Sequence, residues 1–222
     1  MSPNDSVLEE ARASLEEGDL ERAREALRRA VEQNPGDSSA LVDLGYLALG
    51  AGDADEAADL FRQALERDSG NIDALRALAT IHGRAGRGED ALEAASAVAE
   101  AQPDDPLAAI EVADLALELG RLEEAEAAFR RLRSLDDDPE HEVYAYHGLV
   151  EVELRRERWR RALDLAVDAT RVDRLGRTTD ILAFVVSQVF GEADRPAPER
   201  TEIEDALARS RAEHRRLHLE VL

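Results

Sequence analysis

His214 and His218 stand four residues apart, a spacing that on a helix turns both imidazoles to one side, where with Glu213 they would begin a metal site. Two ligands do not complete one. The chain has no cysteine, and no carboxylate stands at the spacing of a helical metal motif, so the pair reads as a solvated helix face. Gly83, Gly86 and Gly88 form a G-x-x-G-x-G run, but no lysine follows and no strand precedes it, which argues against a phosphate cradle. Arg155, Arg156, Arg158, Arg160 and Arg161 surround Trp159, and guanidinium charge beside an aromatic ring is the chemistry of RNA binding. Against that reading, Trp159 falls where a core residue is expected, and a net charge of −22 repels phosphate. The cluster is kept as a secondary patch suited to an acidic protein. No Ser/His/Asp arrangement rises above what composition supplies. The chain is therefore expected to be no enzyme and to hold no metal and no cofactor.

The elements that position these residues must be built from small side chains. Only four Phe, three Tyr and one Trp are available, so the core must rest on Ala and Leu, which suit closely packed helices. All 28 basic residues are arginine. The acidic excess lies almost wholly before residue 129, which favours basic partners or simple solubility. The longest apolar stretch, Ile181 to Phe190, is broken by Ser187 and Gln188 and is about half the roughly 20 residues a membrane span requires. No membrane association is expected. Met1 to Glu10 has no basic start and no apolar run, which argues against a secretory signal, and the lack of cysteine fits a cytoplasmic protein.

The dominant feature is self-similarity at a fixed period. Gly18, Gly52, Gly86 and Gly120 are spaced by 34 residues, as are Ala23, Ala57, Ala91 and Ala125. The same step links Leu27, Phe61, Ala95 and Phe129, then Ala30, Ala64, Val98 and Leu132, and the small residues Ala11, Gly45, Ala79 and Ala113. Pro35 and Pro103 fall at equivalent repeat ends, where the lack of an N–H stops a helix. The order Leu-Gly, Gly, Ala-x-x-x-Phe, Ala, Pro resembles the tetratricopeptide repeat, a helix–turn–helix unit. A fifth unit follows with a three-residue shift, since Ala162 lies 37 residues after Ala125. It departs from the pattern, with Val150 at the small position and Glu157 at the turn glycine.

The resemblance implies an all-α, right-handed solenoid of about five helix pairs, spanning residues 1–174 in units near 4–37, 38–71, 72–105, 106–139 and 140–174. The expected helices run over 5–17 and 20–33, 38–50 and 54–67, 72–84 and 88–101, 106–119 and 122–135, and 140–155 and 158–172. Residues 175–222 would follow as an apolar helix near 178–190, a Pro-containing linker and an amphipathic helix over 202–219. The helix near 178–190 is expected to cap the last repeat, with a dimer contact as the rival reading, so the chain is expected as a monomer or homodimer.

In the family it resembles, first helices line a concave groove that holds a partner peptide or helix. Carried over at the 34-residue step, groove positions here are Leu8, Val42, Arg76 and Ile110, then Arg12, Tyr46, Thr80 and Asp114, then Glu16, Gly50, Arg84 and Glu118. His147, Glu151 and Arg155 would continue the surface. Arg12, Arg76 and Arg84 would make the front cationic, and Glu111, Asp114, Glu118 and Glu151 the rear anionic, which implies a protein or peptide partner of mixed charge. The family's chaperone-binding subset uses Lys and Asn to grip a carboxylate; this chain has no Lys, and its only asparagines, Asn4, Asn34 and Asn71, lie outside the groove columns. A non-catalytic interaction scaffold is the implied role, with self-assembly through the repeat ends as the alternative and RNA binding third.

Overall fold

A computed structural model describes residues 3–135 and 138–172, with residues 205 and 208. The expected helices near 178–190 and 202–219, and the pair His214 and His218, lie outside the described residues. The described residues hold ten α-helices and no strand: α1 (Pro3–Glu16), α2 (Leu20–Gln33), α3 (Ser39–Ala51), α4 (Ala54–Arg67), α5 (Ile72–Arg84), α6 (Gly88–Ala101), α7 (Pro106–Glu118), α8 (Leu122–Leu135), α9 (Pro139–Arg155) and α10 (Trp159–Val172). They fall into two compact units, one ending at Pro103 and the other beginning at Asp104.

In the unit up to Pro103, α1 packs on α2, α3 on α4 and α5 on α6, while α2 also meets α3 and α4 meets α5. In the unit from Asp104, α7 packs on α8, α9 on α10, and α8 on α9. Acidic and amide side chains start many of these helices. Asp19 accepts from the Arg22 N–H at 3.1 Å and Asp53 from that of Glu56 at 3.0 Å, while Asn71, Asp105 and Asp138 cap α5, α7 and α9 in the same way.

The repeat register is a burial register. Ala23, Ala57, Ala91, Ala125 and Ala162 have no exposed surface, and Leu27, Phe61, Ala95 and Phe129 are buried beside them. With methyl groups at the contact, helix axes approach closely, and one larger side chain per repeat fills the space left.

Each first helix ends in the same hydrogen-bonded turn. The N–H groups of Gly18 and Asp19 donate to the carbonyls of Leu15 and Ser14, those of Gly52 and Asp53 to Leu49 and Ala48, those of Gly86 and Arg87 to Gly83 and His82, and those of Gly120 and Arg121 to Leu117 and Ala116. This double closure needs a left-handed residue, and the four glycines have φ between 71° and 85°. The fifth turn repeats it without glycine. The Glu157 and Arg158 N–H groups donate to Leu154 and Glu153, and Glu157 takes φ 60°. The departure at Glu157 thus changes the residue and not the turn. At Val150 the larger side chain is fully buried, and two residues earlier Gly148 makes a separate close approach to Phe129 of α8.

Candidate functional site

In the unit up to Pro103, Arg12, Glu16, Tyr46, Gly50, Thr80 and Arg84 of the expected groove columns are exposed and Leu8 and Arg76 half-buried, whereas Val42 is turned into the core and offers no groove surface. Arg12 is exposed and pairs with Glu9 at 3.0 Å. Arg76 donates through Nη2 to Gln102 Oε1 at 3.0 Å, and Thr80 Oγ1 donates to the Arg76 carbonyl at 3.0 Å. Arg84, in the last turn of α5, is exposed. Tyr46 is the large aromatic of this face: nearly half its surface is open, its ring meets Phe61 edge-on at 5.3 Å, and its hydroxyl reaches within 3.5 Å of the Asp73 carbonyl.

Two acids absent from the expected set, Asp43 and Asp73, stand beside Tyr46. Asp43 keeps an exposed edge but is enclosed on its other sides, and that desolvation pushes its carboxyl above the ordinary range; Arg12 pulls it back while Asp37 and Asp73 push further. The Tyr46 hydroxyl is raised as well, first by burial and then by Asp73 and Asp43. The face therefore carries both signs of charge. Asp43 shares its repeat position with Glu111, so the register that singled out Glu111 also pointed to it.

In the unit from Asp104, Asp114 accepts from the Tyr144 hydroxyl at 2.8 and 2.7 Å through its two oxygens. Burial and this bond hold the tyrosine proton well above its ordinary range. Tyr46 and Asp114 occupy one repeat position, and Asp73 and Tyr144 another once the three-residue shift is counted, so both units link successive first helices by a Tyr and an Asp with the roles exchanged. Glu151 is half-buried and binds Arg155 Nε at 2.9 Å, while the Arg155 guanidinium also donates to the Leu117 carbonyl. Glu118 and His147 are exposed and Glu111 half-buried.

The arginine cluster does not present one surface. Arg156 is turned inward, binding Glu126 at 2.5 Å and Glu123 and Glu153 at 3.2 Å. Trp159 is buried in a core with Tyr146, Val150 and Leu163, and the Arg160 guanidinium lies 4.5 Å from its ring centre. Arg158 lies 3.9 Å from Glu153. With its aromatic face packed away, the cluster lacks the stacking platform that RNA would need. Among the described residues no group of three His, Asp or Glu is placed to hold a metal ion, and no helix is long and apolar enough to cross a membrane.

No curated protein matches this chain in sequence. Among solved structures, YrrB, described as a TPR protein with an unusual peptide-binding site, is 21% identical, with 80% of this chain and 95% of that one covered and a TM-score of 0.60. MamA from Desulfovibrio magneticus is 18% identical over 79% and 98%, with a TM-score of 0.57. A tetratricopeptide repeat protein from Parabacteroides merdae is 19% identical over 97% and 92%, with a TM-score of 0.58. At such identities the likeness is one of fold. Models of the tetratricopeptide repeat match residues 8–72, 48–110 and 84–146, and so cover more than half the chain. The recurrent buried alanines, the left-handed turn that closes each first helix and these matches agree, and the chain belongs to the tetratricopeptide-repeat family.

Proposed function

We propose that the protein is a non-catalytic interaction scaffold that holds a partner peptide or helix on the exposed faces of its first helices. The observation that carries this reading is the fixed display of Tyr46 and Tyr144. Each is a large, partly exposed aromatic residue set against a buried phenylalanine and bonded to an aspartate of a neighbouring first helix, with the Tyr and Asp positions exchanged between the two units. Rigid aromatic residues of this kind lose little entropy on binding and are favoured at protein interfaces. Family membership supports a protein or peptide partner, and the solved relative YrrB is described as having a peptide-binding site. The charges on the faces fit a partner of mixed sign, with acidic groups meeting Arg76 and Arg84 and basic groups meeting Asp43, Asp73, Asp114 and Glu118. The lack of cysteine supports a reducing, cytoplasmic setting.

Co-purification from a lysate of the source organism tests the reading, with the wild type compared against Arg76→Glu/Arg84→Glu and against Tyr46→Ala. A partner retained by the wild type and lost from both variants is the expected result. Identical retention by all three proteins would sink it.

A further inference from the structure

Between α4 and α6 the unit up to Pro103 carries an opening of about 400 Å³, within the range of about 300–1,000 Å³ typical of ligand sites. Leu75 and Leu78 of α5 form its floor, and Leu65, Ala94 and Ala97 its apolar walls. It is separate from the face discussed above: at 100° per residue, Leu75, Leu78 and His82 lie on the opposite side of α5 from Arg76, Thr80 and Arg84.

The opening has a local cause that can be read in the repeat. Ala94, Ala97 and His82 correspond, 34 residues earlier, to Leu60, Gln63 and Ala48. Leu60 packs against the core formed by α1, α2 and α3. There the seam is also bridged, since Arg28 of α2 reaches Glu56 of α4 at 4.0 Å. The equivalent Arg62 turns instead to Asp59 of its own helix at 2.5 Å. Two alanines and a redirected arginine therefore leave open at α4 and α6 what is filled and bridged at α2 and α4.

His82 adds a polar group to this opening. Arg87 Nε donates to its Nδ1 at 2.9 Å, which makes Nδ1 an acceptor and places the proton of the neutral ring on Nε2. Among the described residues Nε2 has no polar partner. The ring lines the opening, so a single N–H donor is presented beside the leucine floor. The rim carries Asp90 and Glu93, both exposed; Arg62, also in the lining, is held by Asp59 and Asp90 lies 3.8 Å from Arg87 Nε, so Glu93 is the rim carboxylate with no ion pair among the described residues. Burial lowers the His82 imidazole, which keeps that donor form at neutral pH.

We propose that this opening is a second binding site, which takes one aliphatic or aromatic side chain of a partner peptide flanked by an arginine or lysine. The leucines receive the apolar group, Glu93 meets the cation, and the His82 Nε2–H donates to a backbone carbonyl of the peptide.

The test uses the full chain labelled at leucine methyls and histidine rings, titrated with N-acetyl-Phe-Arg-amide and followed by NMR. Saturable shifts at Leu65, Leu78 and the His82 ring are expected, with N-acetyl-Phe-Glu-amide and N-acetyl-Ala-Arg-amide binding at least tenfold more weakly. Ala94→Leu and, separately, Ala97→Gln, which restore the side chains of the preceding repeat, should each weaken binding about tenfold or more with unchanged helicity. Arg76→Glu/Arg84→Glu should leave it unaltered, so this site and the first-helix faces succeed or fail separately. No saturable shift, equal binding of the Phe-Glu probe, or full binding by both filled variants would overturn the proposal. So would shifts at these leucines that depend on protein concentration without any probe, since a second copy would then be the occupant.

Discussion

The ring tip of Phe129 occupies the place where a β-carbon of residue 148 would have to stand, so α8 and α9 meet through a glycine. Phe129 is almost wholly buried, and nothing nearby lets it swing aside at low cost. Gly148→Ala should therefore destabilise the protein by about 1–3 kcal/mol despite the better helix propensity of alanine. Adding Phe129→Leu should recover part of that loss, because the two positions share one volume. Chemical denaturation of the two single variants and the double checks it. Additive losses would mean that the contact does not govern this packing.

Glu157 performs the task of the four turn glycines in a conformation that costs an L-residue roughly 1–2 kcal/mol. Its side chain is exposed and makes no ion pair among the described residues. Glu157→Gly should thus stabilise the chain by about 0.5–1 kcal/mol after the greater freedom of glycine in the unfolded state is set against the relief. Thermal unfolding should show a rise in Tm of about 2 °C. Gly120→Glu, which installs the same residue at the end of α7, should lower Tm. A fall on Glu157→Gly would show that the turn is held by something the backbone does not reveal.

The helices were legible because one period governs both the sequence and the packing. The expected bounds of α2, α4, α6 and α8 coincide with those observed, since an aspartate or turn precedes each and the buried alanines run along one side. The fifth pair was harder. Its turn uses a residue whose type does not announce a left-handed φ, and it meets α8 through a close approach at Gly148 that the repeat register does not contain. An isolated glycine inside α9 was the available signal. The first-helix columns gave Tyr46 and Arg76 but not Asp43 and Asp73, which stand one turn earlier on their helices. Arg156 falls within the expected surface patch because nothing in a run of arginines shows that one of them turns inward; that depends on Glu123, Glu126 and Glu153 converging from α8 and α9.

Asp43 should oppose folding at neutral pH. Its folded carboxyl is raised above the ordinary aspartate range by desolvation, so over that interval the folded chain binds a proton that the unfolded chain has already released. The penalty is absent below the unfolded value and present in full above the folded one. Asp43→Asn is expected to raise Tm by about 2 °C at pH 7 and to have no effect near pH 3. Melting curves across that range decide it, and a stabilisation that grew toward acid pH would contradict the sign. If a partner brings a cation to this face, the wild-type aspartate should bind it more tightly than asparagine.

Arg156 should be the most costly single charge to remove. Its side chain is almost buried among Glu123, Glu126 and Glu153, and among the described residues Glu153 has one buried carboxylate oxygen with no hydrogen bond, approached by Arg158 at 3.9 Å. Arg156→Met keeps the volume but leaves Glu153 uncompensated, and a loss of about 3 kcal/mol is expected. Glu153→Gln in the same background should restore a substantial part, because the unpaired charge then disappears. The pH dependence has the opposite sign to that of Asp43. The hydrogen bond from Arg156 holds the Glu126 carboxyl below the ordinary glutamate value, so its stabilisation is complete above that value and is lost as pH falls through the depressed folded one. The gap in stability between wild type and Arg156→Met should therefore be widest above pH 5 and narrow in acid. Denaturant titrations at pH 7 and pH 4 measure both gaps. Equal gaps would mean that Arg156 acts through packing of its aliphatic stem, and a negligible cost at pH 7 would show that Arg158 moves in to take its place.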